Sequence, residues 1–379
     1  MNSNKLKSIT LVEPFVDGHH LTYLEAFVEV LQKKGFRVTV FSMDEKAVEN
    51  LQNVSFYKLK YYNRKRLPAN IILKLLVISL NLINVLRNIY SIRKGNTEKQ
   101  TLFFCTLDDY LHEFLPAWVF NKLLNSPFSG LLLSVPFNRK RQFLKYSTLI
   151  SPKCLGVGVL TKSENFLFGA TKIIDFPDFA NFEVEKTLPK CILDIQQQKS
   201  SSQITISLLG EISERKGLFI LMDIIEKTSR KDFFFIIAGG LSDSISEEQK
   251  RKIELFFSTK KNCFYYPTRI KSEGIFNLFI KETDIIYAFY KGFQQSSNML
   301  AKSCLFQKPL IVNEYSLYMS EQVQKWGLGI AVNQETMLDL SKIAETLKYN
   351  FPFDKTDFSG YLKKNRIEEL EKSFELILK

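Results

Sequence analysis

One feature constrains this chain more than any other: two kinds of apolar pattern alternate along it. Short continuous apolar runs, bounded by turn residues, are followed by longer stretches whose apolar positions recur every three or four residues. Continuous runs suit parallel strands buried on both faces, and the periodic stretches suit helices that cover a sheet. Parallel neighbours cannot be joined by a tight hairpin, so a crossover helix must lie between them. The alternation therefore predicts an α/β protein of successive βα units.

The first series opens with Ile9–Glu13, a run ended by Pro14. The loop Phe15-Val-Asp-Gly-His-His20 follows, and then Tyr23, Phe27, Val30 and Leu31 at helical spacing. Gly35 stops that helix before a second strand, Arg37–Phe41. Further strands are expected at Thr101–Cys105, Gly130–Val135, Val157–Thr161 and Lys172–Phe176, with helices at Tyr110–Leu124 and Ser163–Gly169. The longest apolar stretch, Ala69–Tyr90, is interrupted by Lys74, Asn81, Asn84 and Arg87. A spanning helix needs about 20 predominantly apolar residues. A polar residue every few positions fits a part-buried amphipathic helix better.

A second series begins at Ile204. Strands are expected at Ile204–Leu209, Phe233–Ala238, Cys263–Tyr266, Asp284–Ala288, Pro309–Val312 and Leu328–Val332, with helices between them. A length of 379 residues suits two domains. We expect a first Rossmann-like domain over 1–185, a polar linker over 186–203 with a short apolar anchor at Ile192–Ile195, and a second domain over 204–350. A helical tail over 351–379 is expected to pack back toward the first domain. No repeat of a fixed short period is present.

Composition excludes several classes. Five cysteines stand far apart with no C-x-x-C pair, and His19, His20 and His112 are the only histidines. That argues against a zinc site and for reduced thiols. Residues 1–7 are polar, and the run Ile9–Val12 is too short for a signal core, so a cytoplasmic protein is expected. The net charge of +12 is uneven: residues 1–186 hold 25 Lys and Arg against 16 Asp and Glu. Dense basic clusters are Lys58–Arg66 and Arg139–Lys145. Their position beside the amphipathic stretch favours peripheral contact with an anionic membrane over nucleic acid, for which no recognition motif is present.

In open parallel sheets, ligands bind beyond the carboxyl ends of strands. After Ile204–Leu209 come Gly210, Glu211, Arg215 and Lys216, leading into a helix. Two cations at a helix start oppose its dipole, and either a bound phosphate or simple surface charge explains them. After Asp284–Ala288 comes a turn with Gly292, Gln294, Ser296, Ser297 and Asn298. These are capping residues, and free amides at the helix start suit a second phosphate. In the first series, Gly18, His19 and His20 follow the first strand, and Asp108 and Asp109 follow Thr101–Cys105. Imidazoles there can donate to hydroxyls or act as bases. The aspartates also suit helix capping.

These residues resemble a family. Gly210 with Arg215-Lys216-Gly217, the strand ending Ala238-Gly239-Gly240, Asp284–Ala288, and Ser296–Leu300 leading to Lys308–Val312 resemble the donor half of GT-B glycosyltransferases, of the retaining family-four type. The loop Gly18-His19-His20 resembles that family's acceptor-side glycine loop. The resemblance implies two Rossmann-like domains facing a central cleft. It further implies transfer of a UDP- or GDP-linked sugar to a glycan or lipid-linked acceptor, without metal or other cofactor. It makes Lys216, Arg215 and His20 the catalytic candidates. Gly210, Glu211, Arg269, Gln294, Ser296, Ser297, Asn298 and Lys302 become donor-side candidates, and Gly18, His19 and Asp109 acceptor-side ones. Two family glutamates are replaced, by Gln294 and Lys302. That replacement also admits a GT-B-shaped binding protein without catalysis.

Overall fold

The structure is a computed structural model that describes residues 7–15, 19–62, 70–93, 100–111, 118, 122, 124, 126–133, 146–160, 172–181, 183–229, 231–337, 339–349 and 356–378. Gly18, Arg64–Arg66, the cluster Arg139–Lys145, the expected helix Ser163–Gly169 and most of Tyr110–Leu124 lie outside the described residues. So does the side chain of His19.

The chain divides into two compact units, Met1–Pro177 with Arg366–Lys379, and Asp178–Asn365. The first unit holds seven strands: β1 (Ser8–Val12), β2 (Arg37–Ser42), β3 (Val54–Lys58), β4 (Thr101–Phe104), β5 (Phe128–Leu132), β6 (Cys154–Val159) and β7 (Ile173–Asp175). They pair in parallel in the order β3-β2-β1-β4-β5-β6-β7. Successive crossovers run outward from β1 on one side and then from β4 on the other. The strand order reverses between these two neighbours.

Strand β3 escapes the sequence pattern for a physical reason. It is an edge strand whose residues are half-buried or exposed, so it lacks a continuous apolar run. The helix expected near Ala69–Tyr90 is present as Ile71–Arg93, with Ile78, Leu82, Val85 and Ile89 buried.

The second unit holds β8 (Ile204–Leu209), β9 (Phe233–Ala238), β10 (Cys263–Tyr266), β11 (Ile285–Ala288), β12 (Leu310–Asn313) and β13 (Gly329–Val332). Their parallel order is β10-β9-β8-β11-β12-β13, with the reversal between β8 and β11. All residues of β8 and β9 are buried, β9 as an unbroken apolar run and β8 with Thr205 and Ser207 buried among its isoleucines and leucines.

The expected linker 186–203 is corrected by the structure. The second unit begins at Asp178, and helix Lys190–Gln198 buries Ile192 and Ile195 in that unit's core. Those two isoleucines, spaced to fall on one face, turn a polar segment into a packed helix. The tail is likewise divided. Helix Phe358–Lys364 belongs to the second unit and helix Ile367–Leu378 to the first.

In the first unit, Phe374 of that last helix meets Phe27 at 5.2 Å, Phe103 at 5.0 Å and Phe176 at 5.4 Å between ring centroids. All four rings are buried. A residue near the chain end thus completes a core laid down by the helix after β1, by β4 and by the segment after β7. Truncating Phe374 to Ala should destabilise the first unit by about 3–5 kcal/mol. Urea unfolding followed by circular dichroism checks this. An unchanged midpoint would mean the C-terminal helix is not part of that core.

Candidate functional site

The second unit gathers its candidates at the β8–β11 reversal, where parallel sheets place ligands. The backbone continues the β8–β9 ladder past the strand ends: Gly210 N donates to Ala238 O and Ile212 N to Gly240 O. Gly210 takes φ +87° and Gly239 φ +144°. A Cβ on Gly239 would sit 1.7 Å from Gly210 O, so the two loops touch backbone to backbone.

After Ile212 the chain makes a single 3₁₀ turn, Glu214–Lys216, and enters helix Leu218–Lys227 through Gly217 at φ +76°. This turn brings the Lys216 ammonium back over the strand end, where it donates to Leu209 O at 2.8 Å. A Cβ on Gly210 would lie 2.8 Å from Lys216 Nζ, so the glycine leaves the space that the lysine tip uses.

Two aromatic rings from the loop after β11 shape the cationic pair. Arg215 lies 5.8 Å from the Tyr290 ring centroid and 5.1 Å from that of Phe293, and Lys216 Nζ lies 5.5 Å from Tyr290. The rings themselves pack edge to face at 5.3 Å. Lys291 N donates to Arg215 O at 2.7 Å, joining the two loops through backbone as well. Desolvation, and then the neighbouring Arg215 charge, lower the Lys216 pKa to about 8, against a smaller opposing effect of Glu211. Glu211 and Arg215 are exposed.

The turn before helix Asn298–Phe306 is held in several ways. Ser297 caps it, accepting from Met299 N at 3.4 Å. Asn298 Oδ1 and, across the site's first loop, Ser213 Oγ are buried with no hydrogen-bond partner among the described residues. A buried unpaired oxygen is costly, so both are open to an incoming polar group.

Three expected donor residues are committed elsewhere. Gln294 donates to Tyr315 O at 2.8 Å and accepts from Leu317 N at 3.1 Å, pinning its loop to the next one. Ser296 donates to Asp178, itself buried. Lys302 is 2% exposed and bonds Glu273 Oε2 and Asn277 Oδ1, both at 2.6 Å. Lys302 lies on the helix face that is packed inward, so its charge is neutralised by Glu273 rather than offered to a phosphate. Arg269, after β10, is exposed and packs against Gly240.

The first unit places its candidates at its own reversal, between β1 and β4. His20 Nδ1 stands 3.3 Å from Glu13 Oε1. Glu13, just past β1, is buried, accepts from Phe15 N at 3.0 Å, and has its pKa raised by burial against the lowering effect of His20. The Phe15 ring lies 5.1 Å from the His20 ring. Glu13 escapes sequence reasoning because it is the last residue of an apolar run. Its signal is a carboxylate one residue before a proline at a strand's carboxyl end.

Asp109 lies close enough to raise the Glu13 pKa further. Asp108 is buried and accepts from Leu133 N at 2.6 Å and Tyr146 Oη at 3.1 Å. It fastens loops of the unit. Both aspartates lie in a 3₁₀ turn, Leu107–Tyr110, preceded by Thr106, and the expected helix that they would cap lies mostly outside the described residues. All five cysteines are free thiols.

No family model matches the chain, and no curated protein matches it in sequence. Solved structures do match in shape. The Anabaena protein HepE, solved with UDP and glucose, superposes with a TM-score of 0.68 at 10% identity over 98% of this chain and 99% of its own. A glycosyltransferase from Rickettsia africae gives 0.64 at 14% identity, covering 99% of both chains. WaaG, a glycosyltransferase involved in lipopolysaccharide biosynthesis, gives 0.61 at 10% identity over 96% and 97%. The fold is GT-B.

Two parallel Rossmann-like units are what GT-B denotes, and both sheet orders here satisfy it. With its pKa lowered to about 8, Lys216 would make the binding of an anion beside it pH-dependent. The charged form binds, so affinity should be full below about pH 8 and fall by up to tenfold per pH unit above it. Titrating UDP by calorimetry across that range checks the slope, with Lys216→Arg expected to flatten it because arginine keeps its charge. A wild-type profile that stays level to strongly alkaline pH would remove Lys216 from the site.

Proposed function

We propose that this chain is a glycosyltransferase. It moves a sugar from a UDP- or GDP-linked donor to a glycan or lipid-linked acceptor of cell-surface polysaccharide synthesis, with retention of configuration. The carrying observation is the half-buried Lys216 ammonium beside Arg215 at the β8–β11 reversal, next to the start of helix Asn298–Phe306. Support comes from the shared fold and from HepE, whose structures hold UDP or UDP-glucose.

The chemistry follows from charge. As the anomeric C–O bond breaks, its electron pair stays on the diphosphate oxygen. Lys216, Arg215 and the amides near Ser297 and Asn298 stabilise that growing charge in a partly desolvated place. The acceptor hydroxyl oxygen bonds the anomeric carbon on the face the diphosphate leaves, and its proton passes to the departing phosphate. In this reading the two cations do the work a resident metal does elsewhere. Gly210 gives the diphosphate close backbone approach, while Glu211 and Arg269 flank the donor.

His20, oriented by Glu13, hydrogen-bonds sugar or acceptor hydroxyls, with Gly18, His19 and Asp109 on the acceptor side. The protein works in the cytoplasm, where peripheral contact with the inner membrane face brings it to a lipid-linked acceptor.

Nucleotide release from UDP- and GDP-sugars, in membrane extract, tests the reading. Lys216→Ala should slow release about a hundredfold or more, and unchanged turnover would sink the assigned role. A second reading, a nucleotide-sugar binding protein without catalysis, is favoured by one observation. Gln294 and Lys302, which replace the family's glutamates, are both occupied with protein partners. Donor binding with no release in any extract would support it instead.

A further inference from the structure

We propose that the outward face of helix Ile71–Arg93, with the extended strap beside it, is an interfacial patch that docks the first unit on an anionic lipid surface. The proposal deepens the membrane part of the reading above, and it stands on surface chemistry that sugar transfer does not share.

The helix has two unlike apolar faces. On the inner one, Ile78, Leu82, Val85 and Ile89 are buried in the first unit's core with Leu107 and Tyr110. That face is committed to protein, so the helix lies along the unit instead of crossing a bilayer. On the outer one, Ile72, Leu76 and Leu80 recur every four residues beside Leu73. They are 76%, 54%, 37% and, for Leu73, 38% exposed. Arg87 and Tyr90 continue the same face, Tyr90 at 63% exposure. A run of large aliphatic side chains left in water along one stripe marks an interaction surface.

A strap borders this stripe on one side, and three asparagines hold it there. Asn81 Nδ2 donates to Tyr62 O at 3.0 Å, Asn84 Nδ2 to Lys60 O at 2.8 Å and Asn88 Nδ2 to Lys58 O at 3.1 Å. Tyr62 N returns a bond to Asn81 Oδ1 at 2.8 Å. The strap is extended, so its side chains alternate. Leu59 and Tyr61 turn into the core, while Lys58, Lys60 and Tyr62 turn to solvent. The asparagines thus set two ammonium groups and a phenol ring along the edge of an aliphatic stripe.

Charge selects the occupant. The helix carries Lys74, Arg87 and Arg93 and no carboxylate. Residues 1–186 carry a net +9. A second copy would set like charges against each other, which disfavours self-association. An anionic bilayer meets each component: acyl chains take the leucines, headgroups take the lysines, and tyrosine sits at the boundary.

Sedimentation of the nucleotide-free protein with phosphatidylcholine vesicles, with and without phosphatidylglycerol, tests the proposal. The protein should pellet with the anionic vesicles and stay in solution with the neutral ones. Leu76→Glu with Leu80→Glu should abolish pelleting. Lys58→Glu and Lys60→Glu should each weaken it at least about fivefold at low salt. These side chains are exposed, so thermal melts and UDP binding should be unchanged in every variant. No pelleting by the wild type, equal pelleting with neutral vesicles, or pelleting indifferent to all four substitutions would overturn it. So would a concentration-dependent dimer that Leu76→Glu with Leu80→Glu dissolves. A wild-type protein that binds UDP but no vesicles counts against this surface alone, and one that binds anionic vesicles but not UDP counts against the donor site alone.

Discussion

The contact between Gly210 and Gly239 sets the geometry on which the second unit's site depends. The Gly239 position has no room for a Cβ, because Gly210 O occupies that space. The two loops beyond β8 and β9 can therefore stay hydrogen-bonded past the strand ends, through Gly210 N and Ile212 N. Side chains at such a place would force the strand ends apart. Here the backbone remains low and flat, and the space above Gly210 receives the Lys216 tip. Any side chain at either glycine displaces a strand or the ammonium, so the chemistry of the site begins with two absent Cβ atoms.

The consequence of that placement is electrostatic. Lys216 is anchored to one carbonyl, sits over a ring and has a second cation as its sequence neighbour. Burial and the second cation raise the energy of the charged lysine, while the carbonyl and the ring lower it. Tyr290 and Phe293 likewise offer ring faces to Arg215, which a guanidinium accepts with little loss. An anion of two charges relieves the remaining repulsion. The oxygens of Ser213 and Asn298 at the same reversal add two buried polar atoms without a partner among the described residues. Cationic strain and polar incompleteness at one sheet edge have a common remedy in a ligand that is both charged and rich in oxygen.

Much of this is legible in the sequence, and what is hidden has identifiable causes. Strand β9 announces itself because burial on both faces favours an unbroken apolar run. Strand β3 does not, since an edge strand of mixed exposure resembles a loop. The position of Arg215 and Lys216 at the end of β8 is legible because both fall in the short turn that follows that strand. Lys302 misleads because position in a motif does not tell which way a helical side chain points. Its partner Glu273 lies on another helix, and the pairing exists only after the two helices pack. Residues 186–203 mislead for a related reason: two isoleucines suffice to bury a short helix once the rest of the core is there to receive them.

The two units share an architecture but carry opposite chemistry at corresponding places. At its reversal the second unit presents Lys216 and Arg215. The first presents Glu13, Asp108 and Asp109 with one imidazole among them. An anion brought to the first reversal would face carboxylates, where burial and, to a smaller extent, the Asp109 charge already raise the Glu13 pKa. A neutral ligand bearing hydroxyl groups meets no such penalty, and it offers donors to carboxylates and acceptors or donors to His20 alike. Charge alone thus makes the second unit's reversal the better place for an anion and the first unit's the better place for a neutral hydroxyl-bearing group. The same parallel sheet supports both because the fold fixes only where the loops emerge, and the loops decide what binds.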